Sequence, residues 1–300
     1  MATATEQPRT REQWLEDRRS GIGASEAAAA IGVSPYKSAI ELWAEKCGLV
    51  DAPDLSGNEP VEFGVRLEPV ILDAYASRSG RKVWPHEQNT IVRHRQHSWL
   101  SCTPDAWQLV EGVEDDSLVQ IKTAGAFVAE EWRDGPPLHY EVQCQHEMLV
   151  TDTKVNTIVV LIGGQKLRYF DLTRNEKFIA ALVPKLEEFW RCVETRTPPA
   201  VDHSQACAKA LFKLHPFDNG ESVALPAEAT EWDAELQDAK ARAKELDAFI
   251  TERENMFKAS IGENTFGVLP DGHRYSWKSQ TRAEYTVPES TFRVLRRLKK

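Results

Sequence analysis

The chain has 300 residues, 41% of them hydrophobic, enough for one large core with an appendage. No run approaches the roughly 18 apolar residues of a membrane span, and the polar stretch Met1–Thr10 lacks the apolar centre of a secretory signal, so no membrane partner is expected. Its net charge of −9 runs against a uniformly basic nucleic-acid binder, and its five scattered cysteines (Cys47, Cys102, Cys144, Cys192, Cys207), with no C-x-x-C pair, argue against a zinc knuckle, an iron–sulfur cluster or a disulfide scaffold.

In chain order, a first helix is expected over Arg11–Arg18, capped by Thr10, and a short Ala-rich helix over Ser25–Ile31. Ser38 and Glu41 have capping-box spacing and Gly48 is a stop, which predicts a helix over Ser38–Cys47. Leu67, Val70, Ile71, Ala74 and Tyr75 keep a helical period within Pro60–Ser77, where Pro69 is expected to interrupt the helix. Short strands are expected over Lys82–Trp84, Thr90–Arg93, Ala106–Val110 and Leu118–Thr123, the last two joined by a turn. A helix over His139–Val150 follows, then a hairpin of Val155–Ile162 and Lys166–Leu172 across Gly163-Gly164. Phe178, Leu182, Leu186, Phe189 and Val193 place an apolar stripe on a long helix stopped by Pro198-Pro199. This order predicts an α/β core with a mixed central sheet flanked by helices. The domain reading is a core over residues 10–197, a linker over 198–225 and an extension over 226–300. The extension would hold a charged amphipathic helix (Ala227–Ile261) and short strands over Phe266–Leu269, His273–Trp277 and Glu284–Val287.

Chemistry concentrates in the middle. Thr103-Pro104-Asp105 precedes a hairpin whose second strand holds Val119-Gln120-Ile121-Lys122. Side chains alternate along a strand, so Gln120 and Lys122 share a face that Asp105 can approach. An Asp, a nearby oxygen ligand and a Lys on one sheet edge suit phosphodiester hydrolysis with a hard cation, which is held by one or two carboxylates, waters and substrate phosphate. Glu68 would add a second carboxylate from a helix. His139, His146 and Glu147 lack H-E-x-x-H spacing and are read as helix packing or solvent-facing. Most of the nine tryptophans fall in apolar periods and are read as core, with Trp107 open. Basic residues cluster at Arg18-Arg19, at Arg78, Arg81 and Lys82, and from Arg293 to Lys300.

A wider set of motifs resembles the YqaJ-type viral recombinase family, relatives of the lambda-type phage exonuclease in the PD-(D/E)XK nuclease superfamily. The motifs are Trp14-x-x-x-Arg18 running into Gly23-Ala24-Ser25-Glu26, Gly64-x-x-x-Glu68-Pro69, Thr103-Pro104-Asp105, Gln120-x-Lys122-Thr123 and Tyr140-x-x-Gln143-x-Gln145-His146. They stand in the family's order, and the resemblance covers about Trp14 to Thr195. The resemblance implies a metal set of Glu68, Asp105, Gln120 and Ile121, for Mg2+ with Mn2+ as the substitute. It makes Lys122 the residue that orients the attacking water or stabilises the transition state, and Gln143 a helix-borne support. It makes Arg18, Ser25 and Thr103 a pocket for the 5′-phosphate of a DNA end, a role that a free helix start and a bidentate arginine suit.

The chain departs from the superfamily where an acidic residue usually stands in place of Gln120. The resemblance therefore implies a Mg-dependent exonuclease that digests one strand of linear double-stranded DNA, 5′ to 3′, in phage-type recombination. The alternative is a DNA-end-binding protein weakened or inactivated through Gln120, and a further rival is an interaction protein acting through its C-terminal helix. The implied partners are DNA ends and a single-strand annealing recombinase. The implied assembly is a homotrimer, in the cytoplasm of a bacterial host and encoded by a phage or prophage.

Overall fold

The structure, a computed structural model, describes residues 13, 17–55, 57–284, 286, 289 and 293–297. It divides into two units, residues 1–216 and 217–300.

The first unit is built on a five-stranded mixed sheet. Its strands are β2 (Val83–Pro85), β5 (Ala106–Gln108), β6 (Ser117–Ala124), β7 (Val155–Ile162) and β8 (Lys166–Thr173). In space the order is β2-β5-β6-β7-β8. β5 and β6 are antiparallel with Ala106 opposite Val119, while β6 and β7 are parallel with Gln120 opposite Ile158. A parallel neighbour requires a crossover. Here it consists of a 3-10 turn (Ala126–Trp132) and the helix Leu138–Thr151, which we label α4. β7 and β8 close a hairpin at Gly163-Gly164, both at positive φ, the conformation that glycine adopts without strain.

The two faces of this sheet receive different helices. Val119 and Ile121 of β6 and Val159 of β7 pack with Ile71 and Tyr75 of α3 (Glu59–Ser79). Ile158, Val160 and Ile162 pack with Cys144 of α4 and Trp132 of the 3-10 turn on the other face. Because side chains alternate, Gln120 and Lys122 belong to the α4 face. A second, three-stranded sheet holds β1 (Ile22–Gly23), β4 (Leu100–Cys102) and β3 (Val92–Arg93), with β1 and β4 parallel. It belongs to the largest core cluster, with α1 (Ala24–Ala30), α2 (Ala39–Lys46), α4 and α5 (Glu176–Glu194). Ser38 caps α2 by accepting from Glu41 N, and Asn175 caps α5 by accepting from Lys177 N and Phe178 N.

The structure corrects several expectations. Pro69 does not interrupt α3, which runs unbroken for 21 residues. The hydrogen bond that proline cannot make would have gone to the carbonyl of Val65, and Val65 is 60% exposed, so water can take the donor's place. β1 and β4 were not foreseen: at two and three residues, buried throughout, they show no alternation. The expected linker 198–225 contains α6 (Gln205–Leu214), capped by Ser204 and buried through Cys207 and Ala210 against Ile40 of α2. Trp14 and most of the helix expected over Arg11–Arg18 lie outside the described residues. The strand expected over Glu284–Val287 falls partly outside them, and Glu284 is not in a strand.

The second unit holds α7 (Ala229–Ile261) and a hairpin of β9 (Phe266–Val268) and β10 (Arg274–Ser276). Phe257 of α7 stacks on Tyr275 at 4.3 Å, and Ile261 is buried. No helix among the described residues is long and apolar enough to cross a membrane.

At the start of β6 a buried polar network locks α3 to the sheet. Tyr75 OH donates to Gln108 Oε1 at 2.6 Å and accepts from Arg81 at 2.8 Å. Gln108 donates to Thr157 Oγ1, and Arg81 forms a bidentate pair with Asp171. Tyr75→Phe removes the hydroxyl but leaves Gln108 Oε1 buried without that donor. The expected cost is about 1–3 kcal/mol, read as a lower urea midpoint at unchanged m-value.

Candidate active site

Asp105 stands at the entry to β5, and its carboxylate turns onto β6. Its Oδ2 accepts from the Ile121 N–H at 2.6 Å and from Gln120 Nε2 at 2.5 Å. Ile121 therefore contributes a main-chain donor here. Its side chain is core, so only its carbonyl could face a cation. Gln120 is buried and its Oε1 has no hydrogen-bond partner among the described residues. The amide orientation follows from the hydrogen bonds: the nitrogen meets the carboxylate and the oxygen is left over.

Glu68 approaches from α3. Gly64, one turn earlier on the same helix face, lies over β6: a Cβ there would sit 3.9 Å from Thr123 Oγ1, in ordinary van der Waals contact. Burial, together with the nearby Asp105 charge, pushes the Glu68 carboxyl up to about 7, with Lys122 acting in the opposite direction. The Asp105 carboxyl is also raised, by burial, against the pull of Lys122, the Ile121 hydrogen bond and His86. Lys122 lies over the Tyr140 ring at 5.3 Å.

α4 closes the site. Gln143 is buried and donates to Glu147 Oε1 at 2.9 Å, and Asn156 Nδ2 donates to Glu147 Oε2 at 2.7 Å. Glu147 is fully buried and is pushed up to about 7, first by burial and then by the Asp105 charge, against the hydrogen bonds from Gln143 and Asn156. The sequence reading set Glu147 aside. Its i, i+4 spacing from Gln143 was the signal available, and its coupling to Asp105 needed the fold. His146 does serve packing: fully buried, with burial holding it down at about 4, its neutral ring bonds Ser101 O. Trp107 donates from its indole to His86 Nδ1 at 3.0 Å.

A second polar cluster forms around Glu26. Arg18 Nη2 donates to Ser25 Oγ at 3.1 Å and lies 3.8 Å from Glu26 Oε1. Glu26 Oε2 accepts from Gly23 N and from Lys46 Nζ at 2.7 Å, and Lys46 also donates to Arg18 O. Burial would raise the Glu26 carboxyl, but Lys46 and Arg18 outweigh it and hold it below its ordinary value. Because β1 and β4 run parallel, Ser25 and the half-buried Thr103 follow strands that end on the same side of the small sheet. Thr103-Pro104-Asp105 then connects this cluster to the carboxylates.

This arrangement suits a divalent cation. Burial raises the proton affinity of both carboxylates, the Asp105 charge raises that of Glu68 further, and a buried carbonyl oxygen lacks a partner among the described residues, so a cation would relieve both. Among the described residues, no three His, Cys, Asp or Glu side chains converge to hold a metal. Glu68 and Asp105 are the carboxylates that would hold such an ion.

Residues 13–154 match the YqaJ-like viral recombinase domain. YqaJ of Bacillus subtilis (strain 168) is 29% identical over 274 residues, covering 90% of this chain and 83% of that protein. The crystal structure of an alkaline exonuclease, LHK-Exo from Laribacter hongkongensis, is similar with a TM-score of 0.51 at 21% identity, over 62% of this chain and 94% of that one. Its complex with dAMP is similar to the same degree, with a TM-score of 0.51 at 20% identity, over 62% and 94% of the two chains. Over that stretch the chain therefore shares the fold of this exonuclease. The stretch that matches the YqaJ-like domain ends well before the second unit.

The raised Glu68 carboxyl yields a signed prediction. A carboxyl whose folded value, about 7, exceeds its ordinary value of 4.5 weakens the fold as pH rises through that window and by a constant amount above it. In metal-free buffer at pH 8, Glu68→Gln should melt about 2–4 °C above wild type, and the gap should close by about pH 5. Scanning calorimetry at both pH values checks this, and a gap that does not change with pH would contradict it.

Proposed function

We propose that the protein is a metal-dependent exonuclease that digests one strand of linear double-stranded DNA, 5′ to 3′, in phage-type recombination. The observation that supports this best is that the Glu68 carboxyl feels the charges of Asp105 and Lys122, while Asp105 is hydrogen-bonded to Gln120 and to the Ile121 N–H. Glu68, Asp105, Gln120 Oε1 and the carbonyl of Ile121 would hold Mg2+, or Mn2+ in its place. Such an ion supplies charge neutralisation at the scissile phosphate and a water of lowered pKa. Lys122 orients the attacking water and offsets charge as the phosphate becomes pentavalent. Gln143, fixed by Glu147, supports this from α4. Arg18, Ser25 and Thr103 receive the 5′-phosphate of a DNA end, with Glu26 and Lys46 keeping Arg18 in place, and so set which end is held.

The second reading, favoured by Gln120 standing where the superfamily usually has an acid, is a DNA-end-binding protein with weakened or lost catalysis. Further parts of the proposal are a closed homotrimer that keeps an acidic chain on its duplex, a single-strand annealing recombinase as partner, and a place in the cytoplasm of a bacterial host.

Linear and circular duplexes, with 5′-phosphate or 5′-hydroxyl on the linear ends, separate these readings when incubated with Mg2+ or EDTA. Wild type should release nucleotides from linear DNA in Mg2+ and none in EDTA. Lys122→Ala should abolish release without lowering Tm, and Arg18→Ala should erase the preference for phosphorylated ends. Binding of ends without cleavage in any divalent metal supports the second reading. Wild-type rates in Lys122→Ala would place the chemistry elsewhere.

A further inference from the structure

α7 is 33 residues long, yet Ile261 at its last turn is its only buried residue among those described. Helices in proteins gain most of their stability from packing an apolar face, so a partner surface is implied. The sequence supplies the pattern of that surface. Trp232, Leu236, Ala239, Ala243, Leu246 and Ile250 follow one another in alternate steps of four and three residues. That is the 3.5-residue period that keeps one seam facing a neighbouring helix. Trp232 is 56% exposed, Leu246 62% and Ile250 52%. Past this stretch the seam position Phe257 is already covered, because it stacks on Tyr275.

The flanking charges indicate what covers it. With Leu236, Ala243 and Ile250 as the first seam positions of their heptads, Glu235 and Arg242 precede the seam, and Lys240 and Asp247 follow it five residues later. In a parallel, in-register pair of identical helices these are the positions that face each other across the seam: Glu235 meets Lys240 and Arg242 meets Asp247, each twice by symmetry. Among the described residues Glu235, Lys240 and Asp247 form no ion pair within the chain, so they are available to such a partner. Ile250 in the first position and Leu246 in the second favour two strands. We propose that α7 pairs in parallel and in register with α7 of a second copy of this chain.

Sedimentation equilibrium of the full chain tests this independently of any ring formed by the first unit, because the readout is a ratio. Wild type should have twice the mass of the Leu246→Asp, Ile250→Asp double variant at equal concentration. Glu235→Lys and Lys240→Glu should each weaken the association several-fold, and both changes in one chain should restore it. Equal masses for wild type and the double variant would overturn the proposal. Failure of the charge swap to restore association would overturn the parallel register, even if the double variant had lost mass through misfolding.

Discussion

The Asp105 carboxylate ties the architecture to the chemistry. It is buried, and its Oδ2 is met by the Ile121 N–H and the Gln120 amide, so the entry to β5 is fastened to the middle of β6. The two residues before it leave the small sheet beside Ser25, so the same link sets the spacing between the Arg18 cluster and the carboxylates. If Asp105 shifted, the register of β5 on β6, the approach of Glu68 and the distance to the Arg18 cluster would all change.

The cost of this arrangement is concentrated in three acids. Glu68 and Glu147 are held at about 7 and Asp105 is raised, each chiefly by burial. By contrast, Glu26 stays charged because Lys46 and Arg18 compensate for its burial. The first unit therefore has one acidic cluster neutralised from within and another that is not. Strain that the fold leaves uncompensated at one place, while satisfying a similar group nearby, is the pattern expected of a site that awaits a ligand. Gln120 fits the same view: it removes one negative charge from the strained cluster and lends Asp105 a donor, while its own oxygen remains unpartnered.

Much of this was legible in the sequence because the signals were local. Ser38 caps α2, glycines turn the β7–β8 hairpin, and the stripe on α5 reads at helical period. Strand alternation alone places Gln120 and Lys122 on one face. What stayed hidden depended on partners far along the chain. β1 and β4 are too short to carry a pattern and exist because each completes the other's ladder. Pro69 reads as a break until the exposure of Val65 is known. α6 lies among turn residues and is held by Ile40. Glu147 and Lys46 look like ordinary charged helix residues, and only the fold shows them buried against Gln143 and Glu26.

The central claim is that Glu68 and Asp105 form a cation site completed by the Gln120 carbonyl rather than by a third acid. Calorimetric titration of Mn2+ into wild type, Asp105→Asn and Gln120→Glu tests it most directly, since it needs neither DNA nor turnover. The account predicts binding to wild type at this site, loss of that binding in Asp105→Asn, and tighter binding in Gln120→Glu as one negative charge is added. Equal Mn2+ affinity in all three proteins, or none in wild type, would contradict it.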